Sequence, residues 1–222
     1  MTDFPFDIVA FDLDGTLLET HHDLGTAVNH ALTLGGFAAV PIESATDLIG
    51  GGAKIMLRRA IDAQGGCEDG RFRELYKAML GYYGAHYADH TQPFPGAIEM
   101  LDELAARQVR LAVVTNKFEE FAGGVLRALE LYDRFDCVIG GDSLGKGKSK
   151  PAPDPIWAAR DRCGGGRIAV VGDSTYDIKA GKAAGVPTVA VTFGYHDLHP
   201  HNMGADAVID SLGELVGVLR TL

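Results

Sequence analysis

Short, almost wholly apolar runs separated by helix-length segments constrain this chain more than any other feature. Ile8-Val9-Ala10-Phe11, Leu111-Ala112-Val113-Val114, Ile168-Ala169-Val170-Val171 and Thr188-Val189-Ala190-Val191 all lack the polar alternation of a strand with one wet face. Such runs need cover on both faces, which a parallel sheet with helices above and below provides. Cys137-Val138-Ile139 and Ala207-Val208-Ile209 continue the series. From Pro95-Gly96 onward helical spacing falls between the strands, as in Ile98, Leu101, Leu104 and Ala105. The expected fold class is α/β, a Rossmann-like three-layer core around a mainly parallel sheet.

One segment breaks the alternation. After the first strand the apolar residues take helical spacing only: Leu24, Ala27, Val28, Ala31 and Leu32, then Ile55, Leu57, Ala60 and Ile61. A third helix is expected from about Arg71 to His90, carrying Phe72, Leu75, Tyr76, Met79, Tyr82 and Tyr83. Residues 19–90 therefore read as a small helical cap inserted after the first strand, with a core made of 1–18 and 91–222. A length of 222 residues suits one large domain or two small ones.

Several partner classes are disfavoured at this stage. A formal net charge of −10 argues against nucleic acid or an anionic membrane as the main partner. No apolar run approaches membrane-spanning length. Met1-Thr2-Asp3-Phe4-Pro5 shows no basic region followed by an apolar one. Cys67, Cys137 and Cys163 are scattered and without Cys-x-x-Cys spacing, so reduced thiols and a cytoplasmic setting are expected. Cys137 and Trp157 read as packed apolar residues. His196, His199 and His201 read as a solvated loop, and His21 and His22 as a surface hinge.

Four segments place chemistry-bearing residues at strand ends, where open α/β sheets build their sites. Asp12 and Asp14 follow the first strand, with Gly15 allowing a sharp exit. Asp-Gly alone is a common turn, and Asp-x-Asp-Gly also begins a calcium loop. The apolar Leu17-Leu18 that follows supplies no further oxygen ligands at calcium-loop spacing. Thr115-Asn116-Lys117 closes a second strand, where a hydroxyl and adjacent N–H groups can hold phosphoryl oxygens, although a plain strand-end turn has the same look. In Lys146-Gly147-Lys148-Ser149-Lys150-Pro151, the first two lysines read as solvated and Lys150 as a directed ammonium. Asp173 and Asp177 are four apart after another strand, so both can face one side, and Asp173 could equally cap a helix. Clustered carboxylates repel unless a cation sits among them, and a small set of hard oxygens suits Mg²⁺ with substrate phosphate.

These motifs, Asp12-Leu13-Asp14-Gly15-Thr16, Thr115-Asn116-Lys117, Lys150-Pro151 and Gly172-Asp173-Ser174 with Asp177, resemble those of the haloacid dehalogenase superfamily in its phosphatase branch. Phe94-Pro95-Gly96, Ile49-Gly50-Gly51-Gly52-Ala53, Ile139-Gly140-Gly141-Asp142 and Thr192-Phe193-Gly194-Tyr195 narrow the resemblance to phosphoglycolate phosphatases. Thr20-His21-His22 departs from the family pattern, in which a small residue and a proline are commoner. The resemblance implies an Mg²⁺-dependent phosphomonoester hydrolase acting on a small phosphorylated metabolite, 2-phosphoglycolate, through an aspartyl-phosphate. It implies Asp12 as nucleophile and Asp14 as acid and base, the latter kept neutral by crowding carboxylates. It further implies Thr115, Asn116 and Lys150 around the phosphate, and Asp12, Asp14 (through its carbonyl) and Asp173 on the metal, with Asp177 behind them. Gly51, Gly52, Ala53, Lys54 and Arg58 are expected to meet the leaving group, since a helix N-terminus receives anions. Another small phosphomonoester, such as a sugar phosphate or nucleotide, remains an alternative, as do a phosphosugar mutase and an inactive binding module.

Overall fold

The computed structural model describes residues 4–49 and 51–222, apart from the side chain of Asp47. Gly50, part of the glycine run noted above, lies outside the described residues. The strands of the main sheet are β1 (Ile8–Phe11), β4 (Arg110–Val114), β5 (Cys137–Ile139), β6 (Ile168–Gly172), β7 (Thr188–Val191) and β8 (Ala207–Ile209). They run in the order β5-β4-β1-β6-β7-β8, and every pair is parallel. β1 lies between β4 and β6, which explains why Ile8–Phe11 can be apolar throughout and wholly buried.

Helices cover both faces. α4 (Ala97–Ala106), α5 (Glu119–Ala128) and α8 (Leu215–Leu219) cover one face, where Val9, Phe11, Leu101, Val113, Leu126 and Leu215 form a continuous core. α6 (Asp154–Arg162) and α7 (Thr175–Ala184) cover the other, with Ile8, Ala10, Ile139, Ile156 and Ala180. The even–odd split of β1 residues between the two clusters is the period of two of a strand. Trp157 does not join this core: it is 42% exposed, while Ile156 and Ala159 on the same helix are buried. A nine-residue amphipathic helix turns only part of its circumference inward, and Trp157 falls outside that stripe.

The helical block after the first strand comprises α1 (His21–Gly35), α2 (Ala53–Asp62) and α3 (Asp69–His86), with a 3₁₀ segment at Ile42–Leu48. Leu32, Met56, Leu57, Ile61, Phe72, Leu75 and Met79 pack as a cluster apart from those of the sheet. α3 ends four residues short of the expected His90. Residues 87–90 form a turn and a bend instead, and beyond them lies a two-stranded antiparallel ribbon, β2 (Leu18–Glu19) with β3 (Gln92–Pro93), in the register Leu18↔Pro93 and Glu19↔Gln92. The ribbon carries both crossings between the helical block and the sheet. Strands of two residues have no periodicity to read, so the ribbon was invisible in the sequence.

Asp23 secures this crossing. Its carboxylate, 3% exposed on α1, accepts hydrogen bonds from the backbone N–H of His90 and Thr91 and from the Thr91 hydroxyl, the last at 2.8 Å. The ring of His90 is a fourth partner, at 3.0 Å, and stacks on His22 with centroids 3.8 Å apart. Burial pushes the Asp23 carboxyl up, but hydrogen bonds from His90 and Thr91 outweigh it and hold the group below the usual carboxylate range. Asp23→Ala leaves buried donors without an acceptor and is expected to destabilise the protein by at least about 2 kcal/mol at pH 7. A carboxyl with a depressed native pKa stabilises above its unfolded pKa and loses that contribution as pH falls through the native value. Urea unfolding of the two proteins should therefore differ fully at pH 7 and converge only below about pH 4. A gap that is constant down to acid pH would contradict the assignment.

Candidate active site

Sheet register determines what meets at the carboxyl edge. Phe11 pairs with Val113 of β4 and with Val171 of β6, so all three strands leave the sheet nearly level. Their next residues bring Asp12, Thr115 and Asp173 together, with Asp12 N–H donating to Val171 O at 2.9 Å. Gly15 has φ +84°, and a Cβ there would stand 2.2 Å from Asp173 Oδ2. Only glycine satisfies both the left-handed backbone and the close approach.

Oxygens of Asp12, Asp173 and Asp177 lie within 4.8 Å of one another. Lys150, 4% exposed, sits among them, with Nζ 2.9 Å from Asp12 Oδ1 and 2.5 Å from Asp177 Oδ1. Asp177 also accepts from the Ser174 N–H and hydroxyl in a capping box that starts α7. Its oxygens are thus taken by protein donors. Asp173 accepts from Tyr195 N–H at 2.6 Å and from the Thr16 hydroxyl at 3.3 Å. Burial pushes the Asp12 carboxyl up to about 6, Lys150 pulling it down and Asp177 pushing it further up. Burial, then the charges of Asp12 and Asp177, hold Asp173 well above the ordinary range.

Two observations bear on a cation. Asp12 Oδ1 is buried and, despite the ion pair with Lys150, has no aligned hydrogen-bond donor among the described residues. The carboxyls of Asp12 and Asp173 are raised by burial and by neighbouring carboxylate charge, the condition that a bound cation relieves. An all-oxygen carboxylate set suits a hard divalent ion, so the residues present fit one.

Asp14 faces a different partner. Lys117 Nζ lies 2.7 Å from each of its carboxylate oxygens. Where carboxylates alone were expected around Asp14, its direct charged contact is an ammonium. Lys117 is buried, and the ring of Tyr83 from α3 covers it with its centroid 4.8 Å from Nζ. Burial pushes the Tyr83 hydroxyl up to about 12 even against the neighbouring Lys117 charge.

These groups line a cavity of about 410 Å³ between the sheet edge and the helical block. Asp12, Asp14, Thr115, Asn116, Lys150 and Asp173 line it from the sheet side. Asn116 also donates one of its two amide N–H groups to Lys150 O at 3.1 Å, which braces the lysine loop. Gly51, Gly52, Ala53 and Lys54 contribute from α2 and the loop before it. Arg58 does not reach the cavity; its guanidinium stacks 3.6 Å above the Phe72 ring and pairs with Asp69 at 3.2 Å. It lies one turn beyond Lys54 on α2, past the part of the helix that borders the cavity.

Three contributors escaped the sequence reading. Lys117 was visible as part of its motif, but its pairing across 103 residues was not. In the sequence Tyr83 is one apolar position of a helical stripe. Tyr195 joins both halves of the molecule: its N–H holds Asp173, and its hydroxyl accepts from Thr20 and His21 N–H at 2.7 and 3.0 Å. His196 is likewise structural where a solvated loop was expected, with ring nitrogens 3.0 Å from Asp173 O and 2.8 Å from Thr192 O.

Comparison with known proteins agrees with this geometry. The family model for haloacid dehalogenase-like hydrolase matches residues 9–191. A phosphoglycolate phosphatase of Agrobacterium fabrum is 36% identical over 99% of this chain and 95% of its own. One of Nitrosospira multiformis is 38% identical over 97% of this chain and 96% of its own. Among solved structures, a crystal structure described as a predicted phosphoglycolate phosphatase from Haemophilus somnus superposes with a TM-score of 0.89 at 30% identity, covering 98% of this chain and 99% of that one. The chain belongs to the haloacid dehalogenase-like hydrolases.

Proposed function

We propose that this protein is a phosphomonoester hydrolase that converts 2-phosphoglycolate to glycolate and phosphate through an aspartyl-phosphate at Asp12, with Mg²⁺ as cofactor. The observation that carries the reading is Asp12 itself, a carboxylate at the end of a buried strand on the cavity floor, beside a buried lysine and a second carboxylate. The names of near-full-length relatives support the substrate. In the same reading, residues 1–18 and 91–222 are the catalytic core, 19–90 are the cap, and the protein works in the cytoplasm.

A carboxylate is a weak nucleophile toward phosphorus, so rate has to come from placement and charge neutralisation. Asp12, fixed by the β1 backbone, attacks with one oxygen. Lys150 and the Thr115 hydroxyl receive the oxygens of the transferring group, which carry more charge in the transition state than before it. Asp12, Asp173 and the Asp14 carbonyl would hold the Mg²⁺, which supplies positive charge where phosphate and carboxylates meet. Asp177, with its oxygens already bonded, fixes Lys150 from behind. Asp14, once it has left its ion pair with Lys117 and taken a proton from water, gives that proton to the departing alkoxide and later takes one from the water that hydrolyses the acyl phosphate. The helical block encloses the leaving group, with Gly51–Lys54 bringing N–H groups and one ammonium to the cavity mouth.

Asp12→Asn removes the nucleophile while preserving shape, and turnover should fall to background with the unfolding midpoint little changed. Asp173→Ala should weaken Mg²⁺ activation by at least about tenfold, because a hard cation loses a charged oxygen; an unaltered Mg²⁺ titration would refute that ligand. For the substrate, 2-phosphoglycolate and ethyl phosphate differ only in the carboxylate. The first should be turned over with a kcat/KM about tenfold or more above that of the second, the equivalent of one charge-assisted hydrogen bond. Equal values would remove the glycolate reading and leave a general phosphatase.

A further inference from the structure

The proposed chemistry leaves one buried charge without a task. Among the described residues three ammonium groups line the cavity: Lys54, Lys117 and Lys150. Lys150 is held by Asp12 and Asp177. Lys54 is exposed, so water and salt screen whatever it attracts. Lys117 is 8% exposed, and its direct charged partner is the carboxylate of Asp14, bound through both oxygens at 2.7 Å. Tyr83 from α3 lies over its ammonium, and Phe121 packs edge-on against that ring at 5.5 Å. An apolar wall on one side and a single exchangeable carboxylate on the other make a receptor for carboxylate.

We propose that Lys117 is the specificity-determining residue of the site, taking the carboxylate of the leaving group in exchange for that of Asp14. The inference rests on 2-phosphoglycolate being the substrate. In that molecule one methylene separates the ester oxygen from the carboxylate carbon. An Asp14 that reaches the ester oxygen keeps Lys117, one hydrogen bond further on, within reach of the substrate's carboxylate. The exchange replaces like with like. Lys117 gives up one charge-assisted contact and gains an equivalent one, so the buried ammonium is never left unpaired, which would be costly. Asp14 is freed from its ion pair by the same event, as a carboxylate that takes a proton from water before it acts on the leaving oxygen. An ester without a carboxylate offers Lys117 nothing and leaves Asp14 tied to it. Selectivity and the release of Asp14 then arise from one contact, and the contact is walled in by the helical block through Tyr83.

The discriminating readout is a ratio. A lysine that merely anchors Asp14 would, when removed, slow all substrates alike. Hydrolysis of 2-phosphoglycolate and of ethyl phosphate is to be compared by kcat/KM, with Mg²⁺ and on the full chain, for the wild type, Lys117→Met, Lys117→Gln and Lys54→Met. The wild-type preference for 2-phosphoglycolate should fall by about tenfold or more in both Lys117 variants, the loss of one charge-assisted hydrogen bond, and the KM for the carboxylate-bearing ester should rise. Lys54→Met should move the ratio far less. Two Lys117 variants guard against one that fails to fold. A ratio that persists while both substrates slow together would overturn the proposal, as would collapse of the ratio in Lys54→Met alone. A wild type without preference would instead refute the substrate reading on which the inference stands.

Discussion

Like charge gathered at one sheet edge is the constraint on which the rest of this structure depends. Parallel register brings Asp12, Asp14 and Asp173 out together, with Asp177 behind them, in a place largely closed to water. Carboxylates so close and so buried repel strongly, because little solvent separates them. Two buried lysines answer that repulsion from opposite sides: Lys150 toward Asp12 and Asp177, Lys117 toward Asp14. Asp12 and Asp173 still have raised carboxyls after Lys150 has acted, and a divalent ion is the natural remedy. Positive charge here does not bind the substrate alone; it allows the site to exist.

The helical block is tied to this edge at more than its covalent crossings. Tyr195 hydrogen-bonds the start of α1 with its hydroxyl and Asp173 with its backbone, so a shift of the block is felt at a carboxylate of the site. Asp23 fastens α1 to the residues just before β3, and Tyr83 reaches across to Lys117. Tyr195, Thr91 and Lys117 lie beyond the helical block in the chain, so these contacts join the block and its hinge to the core. A block connected only through a short ribbon would otherwise be free to swing, and these bonds give it a defined seat over the cavity.

What was legible in the sequence follows the range of the physics involved. Buried parallel strands announce themselves as apolar runs, and all six main strands fall on the expected segments. Strand-end carboxylates and the Lys150 loop were visible because their motifs are local. Pairings set by tertiary closure were not. Nothing in Thr115-Asn116-Lys117 says that the lysine points to Asp14 while the asparagine braces the Lys150 carbonyl. Arg58 and Lys54 share a helix and a charge, yet only the latter borders the cavity. Trp157 shows the same limit, since size and hydrophobicity alone do not say which side of a helix faces in.

The claim at the centre of this account is that Asp12 carries the phosphoryl group. Borohydride reduces an acyl phosphate to an alcohol and leaves free carboxylates untouched. Treating the enzyme with it during turnover of 2-phosphoglycolate, followed by peptide mass spectrometry, locates the intermediate directly. The account predicts reduction at Asp12 alone, dependent on both substrate and Mg²⁺. Reduction at another carboxylate, or undiminished turnover with Asp12 never modified, would contradict it.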